Sequence, residues 1–360
     1  MSITTRKSAF SGLALIGTGA LLLAGCAAAP EATDKGTAAA DNFLPCMVSD
    51  AGGFDDKSFN QLGYEGLTET ATKLGVEPKS VESADETVYN SNITNLVDQG
   101  CNLIVTVGFA LADATKAAAE TNTDVDFAII DDGSITADNV KPITFNTAQA
   151  AFLAGYSAAS YSKTGVVGTF GGMQFPTVTI FMDGFADGVA YFNSEKGKDV
   201  KVIGWDVASQ TGSFTGGFAA GVEAKSAAQT LIDQDADVIL PVGGPIFLSA
   251  IEAINDSGKD IAMIGVDADL YETAPDAKAL FLTSILKGIK VGVSDVVNAS
   301  ASGDFSADPF VGTLENEGVG IAPFHDFDSK VDAGLKAELD TIKAGIIDGS
   351  ITVESPSSPK

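Results

Sequence analysis

Acidic residues and glycines recur at one kind of place in this chain, directly after short aliphatic runs. Runs at 44–49, 103–107, 125–130, 166–170, 238–242 and 262–266 are each rich in Val, Ile, Leu or Phe. The first is followed by Ser49-Asp50-Ala51-Gly52-Gly53-Phe54-Asp55-Asp56-Lys57-Ser58-Phe59-Asn60-Gln61, the second by Gly108-Phe109, and the third by Asp131 and Asp132. After the others come Gly171-Gly172-Met173, Gly243-Gly244-Pro245, and Asp267 with Asp269. A carboxylate accepts hydrogen bonds on two oxygens, which suits the vicinal hydroxyls of a sugar or the N–H groups of a base. Glycine lets backbone approach a ligand closely. Phe54 or Phe59 could stack on a planar ring, an interaction of about 1–3 kcal/mol per base. The same acids also suit a purely structural role, since Asp is favoured in turns and at helix N-caps. On that preference roughly half of them are caps.

Covalent chemistry finds little support. There is no G-x-S-x-G elbow and no G-x-x-x-x-G-K-[ST] loop, and the single His, His325, falls late in a loop. The glycines of 165–172 lie within a strand pattern and do not open a helix. The D-x-D-x-D-G spacing of a calcium loop is missing, so neither metal nor cofactor is expected. Clustered Asp residues remain compatible with a nucleoside or glycoside hydrolase. Of 360 residues, 48 are Asp or Glu and 21 Lys or Arg, a net charge of −27, which excludes a basic nucleic-acid binder. The 45% hydrophobic content excludes a disordered acidic chain, and three Cys exclude a disulfide-dense mini-domain.

The elements that would position these residues alternate. Strands and helices follow one another from 44 to 145, and the pattern restarts with a helix at 148–161 and continues to 266. Repeated βα alternation predicts parallel sheets with helices on both faces, and two rounds of similar size predict two lobes. In such sheets ligands bind beyond the carboxyl ends of the strands, where the acids and glycines lie. The tail departs from the pattern, with strands at 280–286, 310–314 and 319–323 and helices at 288–301 and 329–347. The chain therefore crosses between lobes more than once, near 146, near 271–279 and near 315–318, making a multi-strand hinge. The expected boundaries are 43–146 plus about 272–315 for the first lobe, 147–271 plus about 316–350 for the second, and 351–360 as a tail.

Residues 1–25 hold no acid, carry Arg6 and Lys7, and continue with an apolar run at 13–23, the layout of a secretory signal. Leu23-Ala24-Gly25-Cys26 resembles the lipobox of bacterial lipoproteins, which implies cleavage before Cys26, lipid on its sulfur and attachment to the extracytoplasmic face of the cell membrane. A short membrane anchor or a plain signal cleaved elsewhere ranks below it. Residues 26–42 read as a flexible tether. The mature chain would carry 19 basic against 48 acidic residues, about −29. Cys46 and Cys101 each begin a predicted strand, and the first and third strands of a doubly wound sheet are neighbours. They are either a disulfide or two buried thiols.

The stretch 50–66, DAGGFDDKSFNQLGYEG, resembles the signature of the basic membrane protein family of solute-binding lipoproteins, which includes purine nucleoside receptor lipoproteins of ABC importers. Weaker matches follow in order: Phe127-Ala128-Ile129-Ile130-Asp131, Ala151-Phe152-Leu153-Ala154-Gly155-Tyr156, 168–172, 181–188, Gly265-Val266-Asp267-Ala268-Asp269 and Thr283-Ser284-Ile285-Leu286-Lys287, so that nearly all of 43–350 is covered. The resemblance implies an α/β type I periplasmic-binding-protein fold holding a purine nucleoside, in a monomer that serves an ABC permease and ATPase. It implies Phe59 stacking on the base, with Asn60 and Asp50 as polar neighbours and Phe214 as the facing aromatic. It also implies Asp131 reading the base edge, Asp267 accepting from ribose hydroxyls with Lys287 alongside, and Gly244 near the sugar. Gly243-Gly244-Pro245-Ile246-Phe247 departs from the A-G-x-T-G type of loop usual there. Each residue keeps a plainer alternative: Phe59 in a helix core, Lys287 paired to a carboxylate, Asp131 and Asp267 as caps. A surface hydrolase, a sugar binder and a ligand-sensing lipoprotein remain the competing functions.

Overall fold

The structure is a computed structural model and describes residues 42–359. The expected signal segment, Cys26 and the tether up to residue 41 lie outside the described residues.

In the first half β1 (Pro45–Val48), β2 (Lys79–Val81), β3 (Leu103–Val107), β4 (Asp126–Ile130) and β5 (Val140–Phe145) alternate with α1 (Phe59–Leu74), α2 (Tyr89–Asp98) and α3 (Ala112–Thr121). The second half begins with α4 (Thr147–Tyr161), β6 (Val166–Gly171), α5 (Pro176–Lys196) and β7 (Lys201–Ile203), then a small ribbon of β8 (Trp205–Asp206) and β9 (Thr211–Gly212). It continues through α6 (Val222–Asp233), β10 (Val238–Val242), α7 (Ile246–Ser257), β11 (Ala262–Asp267), α8 (Leu270–Thr273) and β12 (Phe281–Lys287). Last come α9 (Ile289–Ser302), β13 (Phe310–Gly312), β14 (Val319–Ile321) and α10 (Leu335–Ile347).

Two six-stranded sheets result, in the orders β13-β5-β4-β3-β1-β2 and β14-β12-β11-β10-β6-β7. Every pairing in them is parallel except β12 with β14. The central strands β1, β3, β10 and β11 are buried along their whole length, as strands covered on both faces must be. Successive side chains enter opposite layers: Leu103, Val105 and Val107 join one core cluster and Ile104 another.

The tail corrects the expected boundaries. Residues 281–287 do not return to the first lobe, because β12 pairs in parallel with β11 and extends the second sheet. Residues 270–280 form α8 and a 3₁₀ turn, which make the short crossover between those two strands, and the second crossing falls at Gly288 instead. The chain then packs α9 against α1, adds β13 to the first sheet beside β5, and returns to place β14 on the second. An aliphatic run such as 281–286 fits either sheet equally well, so its partner is a matter of tertiary geometry.

In the second half α4 and α5 touch backbone to backbone. A Cβ at Gly188 would stand 2.0 Å from the Phe152 carbonyl oxygen, and one at Gly184 would stand 2.3 Å from that of Ala148. The glycines are therefore spacing residues. Gly188→Val should force the helices apart and destabilise the protein by about 1–3 kcal/mol or more, read as a lower denaturation midpoint.

Cys46 and Cys101 form a disulfide, with Cα atoms 6.0 Å apart, across the β1–β3 pair. The cross-link closes a loop with a sequence separation of 55 residues. Chain entropy for a loop of that length predicts that the double variant Cys46→Ala/Cys101→Ala loses about 4 kcal/mol in denaturant unfolding. Alkylation of denatured but unreduced protein should label neither cysteine.

Candidate functional site

The carboxyl ends of both sheets face one another across a cleft. Its lining draws Asp50, Asp56, Phe59, Asn60, Gly108, Phe109 and Asp131 from the first lobe, and Phe181, Phe218, residues 242–245, Asp267 and Lys287 from the second. Of the residues expected in the site, Asp50, Phe59, Asn60, Asp131, Gly244, Asp267 and Lys287 all line it.

The loop after β1 is shaped by Asp56. Its Oδ1 accepts from the backbone N–H groups of Ser58 (3.0 Å) and Gln61 (3.1 Å), and its Oδ2 accepts from that of Asn60 (2.8 Å). Asp56 thus serves the open N-terminus of α1, and its oxygens are spent. Asn60 is likewise committed: its amide nitrogen donates to Asp50 Oδ1 at 2.7 Å and to Asp56 Oδ2 at 3.0 Å, while its oxygen accepts from the Asp50 N–H at 3.2 Å. Asn60 positions Asp50 more than it offers groups of its own. Gly108 lies opposite with φ +107, and a Cβ there would stand 3.2 Å from Asp50 Oδ2 and 3.5 Å from the Phe59 ring. Only glycine combines that backbone conformation with that closeness.

Asp131 directly follows β4 and Asp267 ends β11, both in the left-handed region at φ 65° and 66°. Each carboxylate is thereby turned from its strand end into the cleft. Lys287, 6% exposed at the end of β12, donates to Asp131 Oδ2 at 2.6 Å and lies 3.5 Å from Asp267 Oδ1. The rings of Phe181, Phe59 and Phe145 surround the ammonium at 5.0, 5.3 and 5.7 Å. Burial alone would lower the Lys287 pKa, but the two carboxylates outweigh it and raise it. Burial pushes Asp131 up against the pull of Lys287, and it pushes both Asp50 and Asp267 up to about 6. Asp267 Oδ1 is buried with no hydrogen-bond partner.

The lobes meet here. Ser58 donates to the Val266 carbonyl at 2.8 Å and Thr273 to that of Lys57 at 2.7 Å. Phe109 of the first lobe packs on Phe175 of the second at 4.2 Å between ring centroids, with Phe218 at 6.4 Å.

The structure revises the aromatic assignment. Phe214 is not in the cleft lining: it bridges to Gly171 beside β6 and packs edge-on against Trp205, with ring centroids 5.9 Å apart. Phe218, four residues on in the same glycine-rich loop, faces the cleft instead. A Cβ at Gly243 would stand 2.7 Å from the Phe218 ring, so the second residue of the Val242-Gly243 step makes room for it. Phe109 and Phe218 carried no signal in the sequence beyond their adjacent glycines, and Phe181, inside α5, none beyond its place in the family-like segment 181–188. Asp131 faces the site, whereas Asp132 turns to accept from the Ser134 N–H and hydroxyl at 2.9 and 2.8 Å.

Two parallel-sheet lobes converge carboxylates, aromatic rings and one lysine on a shared cleft, an arrangement suited to holding a small solute. Comparison with known proteins agrees. Residues 43–352 match the Bmp family, described as ABC transporter substrate-binding protein, PnrA-like. The chain is 31% identical over 367 residues to the ABC transporter nucleoside-binding protein BmpA of Lactococcus lactis, covering 97% of this chain and 99% of that one. It is 31% identical over 311 residues to basic membrane protein A of Borreliella burgdorferi, covering 84% and 86%. Its fold is similar to an ABC transporter solute-binding protein from Aeropyrum pernix, with TM-score 0.78 at 22% identity over 87% of this chain and 94% of that one. The chain belongs to the Bmp family of ABC transporter substrate-binding proteins. It is therefore a binding protein rather than an enzyme, and it works outside the cytoplasm. Among the described residues no helix is long and apolar enough to cross a membrane.

The raised carboxyls make a stability prediction. Asp50 and Asp267 have folded values of about 6 against an ordinary 3.8, so the folded state holds their protons more tightly than the unfolded state does. Their stabilising contribution is complete below about pH 3.8 and is lost as pH rises through about 6. In thermal melts at pH 5 and pH 7 without ligand, Asp50→Asn should reduce the advantage that wild type shows at the lower pH. An identical pH difference in variant and wild type would refute this.

Proposed function

We propose that the cleft binds a purine nucleoside for import through an ABC permease and ATPase, by a monomer held to the membrane through lipid on Cys26. The observation that carries the reading is the shared cleft lining, in which the buried Asp267 Oδ1, met only by the Lys287 ammonium at 3.5 Å, stands with the rings of Phe59 and Phe218. A buried carboxylate oxygen of this kind is stabilised by a ligand hydroxyl or N–H, and the rings suit a flat base. The charge balance supports a nucleoside over a nucleotide. Lys287 is the one cation in the lining, against Asp50, Asp56, Asp131 and Asp267, and two of these already neutralise it. A phosphate would meet uncompensated repulsion. The Lactococcus relative's name as nucleoside-binding supports the same reading.

In this arrangement the base lies between Phe59 and Phe218, Asp131 meets the base edge, and Asp267 accepts from the ribose. Asp50 and Gly244 complete the two walls, and Asn60 holds Asp50. A thermal-shift panel of nucleosides, free sugars and amino acids tests it. A nucleoside at about a hundred times its Kd should stabilise the protein by about 2.7 kcal/mol. A shift with sugars and none with nucleosides would overturn the reading, and release of free base from inosine would overturn the assignment as a binding protein. Phe59→Ala should weaken nucleoside binding by about 5- to 150-fold, matching about 1–3 kcal/mol of stacking, with an unchanged melting profile in the absence of ligand. Affinity should fall as pH drops through about 6, because protonated Asp50 and Asp267 lose acceptor capacity.

A further inference from the structure

The nucleoside cleft does not end at Asp131 and Lys287. Behind them lies a second cavity of about 450 Å³, against about 60 Å³ for the space around Phe59, and the two share Phe109, Asp131, Thr177 and Lys287 in their walls. The smaller space alone falls well below the roughly 300–1,000 Å³ usual for ligand pockets, whereas the larger lies within that range. The chamber is mixed in character. Phe145, Ile180 and Val311 give it apolar faces, and Ser134, Thr144 and Asp132 give it polar ones.

One wall is the C-terminal tail, which is fastened in place. Ser355 donates to Asp183 at 2.6 Å, Ser357 and Thr179 share a hydrogen bond at 2.9 Å, and Ser358 donates to Asn146 at 3.2 Å. The tail thereby runs along α5 to the first crossing between the lobes, and Ser357 and Pro359 line the chamber. The electrostatics are one-sided. Asp132 gives Oδ1 to Ser134 but lines the chamber and forms no ion pair among the described residues, and the chamber's one lysine, Lys287, is already flanked by Asp131 and Asp267.

We propose that this chamber receives a substituent carried on the base edge of the nucleoside, an alkyl chain ending in an ammonium group, so that the protein accepts base-modified nucleosides as well as plain ones. The inference rests on the nucleoside reading above. The base edge meets Asp131, and a chain attached there passes the Asp131–Lys287 pair into the chamber. Its methylenes lie against Ile180, Val311 and Phe145, and its cation reaches the Asp132 carboxylate.

The test is calorimetry on the full chain with adenosine and guanosine, each plain or bearing an aminobutyl or a pentyl chain on the exocyclic amine. For the parent that binds, the aminobutyl derivative should bind as tightly or tighter, and the pentyl derivative about tenfold more weakly than the aminobutyl one. Ser357→Trp and, independently, Val311→Phe should each lower the ratio of aminobutyl to parent affinity by about tenfold or more. Asp132→Asn should abolish the preference for the amine over the pentyl chain. If the parent binds and the aminobutyl derivative binds more than about tenfold more weakly, the chamber proposal is wrong while the nucleoside reading stands. If neither plain nucleoside binds, both fall together.

Discussion

The ammonium of Lys287 lies buried between two carboxylates that arrive from different sheets, and the rest of the site is arranged around that contact. Asp131 comes from the end of β4 in the first sheet; Asp267 and Lys287 come from the ends of neighbouring strands in the second. A buried charge left without its partner costs several kcal/mol, and a buried pair yields little net stability over a well-packed apolar substitute. What such a pair supplies here is orientation. The contact ties the two sheets together at the cleft, with three aromatic rings packed around the cation. The left-handed backbone at Asp131 and Asp267 is a cost of the same kind, since L-residues resist it, and it is held by the sheet ends on either side.

Around this centre the acidic residues divide their work. Asp56 gives its oxygens to the first turn of α1 and so fixes where Phe59 begins the helix. Asn60 ties Asp56 to Asp50 and leaves Asp50 oriented toward the cleft. Asp267 keeps one oxygen free of hydrogen bonds. Beyond the Lys287 ammonium at 3.5 Å, that oxygen keeps acceptor capacity for a donor on a ligand, which is how a buried carboxylate contributes to selective binding.

Closure and recognition use the same contacts. Ser58 to the Val266 carbonyl, Thr273 to the Lys57 carbonyl, and Phe109 on Phe175 all span the two lobes beside the cavity. On the proposed reading, a ligand held between Phe59 and Phe218 would add to that set of cross-lobe contacts and so couple binding to lobe closure.

The sequence by itself determined the alternation of strand and helix, the doubling of that pattern, and the gathering of Asp and Gly at strand ends. These follow from local periodicity and from the backbone demands of turns, and the ordered segments from 50 to 287 added the family likeness. Asp50, Asp131 and Asp267 stand out in the sequence because each directly follows or ends a recognisable strand, whereas Phe59 stands out only through the family-like segment 50–66; all four line the cleft. Tertiary structure alone decided which sheet takes 281–287, because a short buried strand such as FLTSILK carries no mark of its partner. It also decided between Phe214 and Phe218, four residues apart in one glycine-rich loop, where the packing of Trp205 claims one ring and the space beside Gly243 admits the other. The folding of the tail against α5 belongs to the same class, and so does the choice of a disulfide over two buried thiols for Cys46 and Cys101, whose strands the sequence already made neighbours. Each joins residues distant in sequence through geometry that no local pattern encodes.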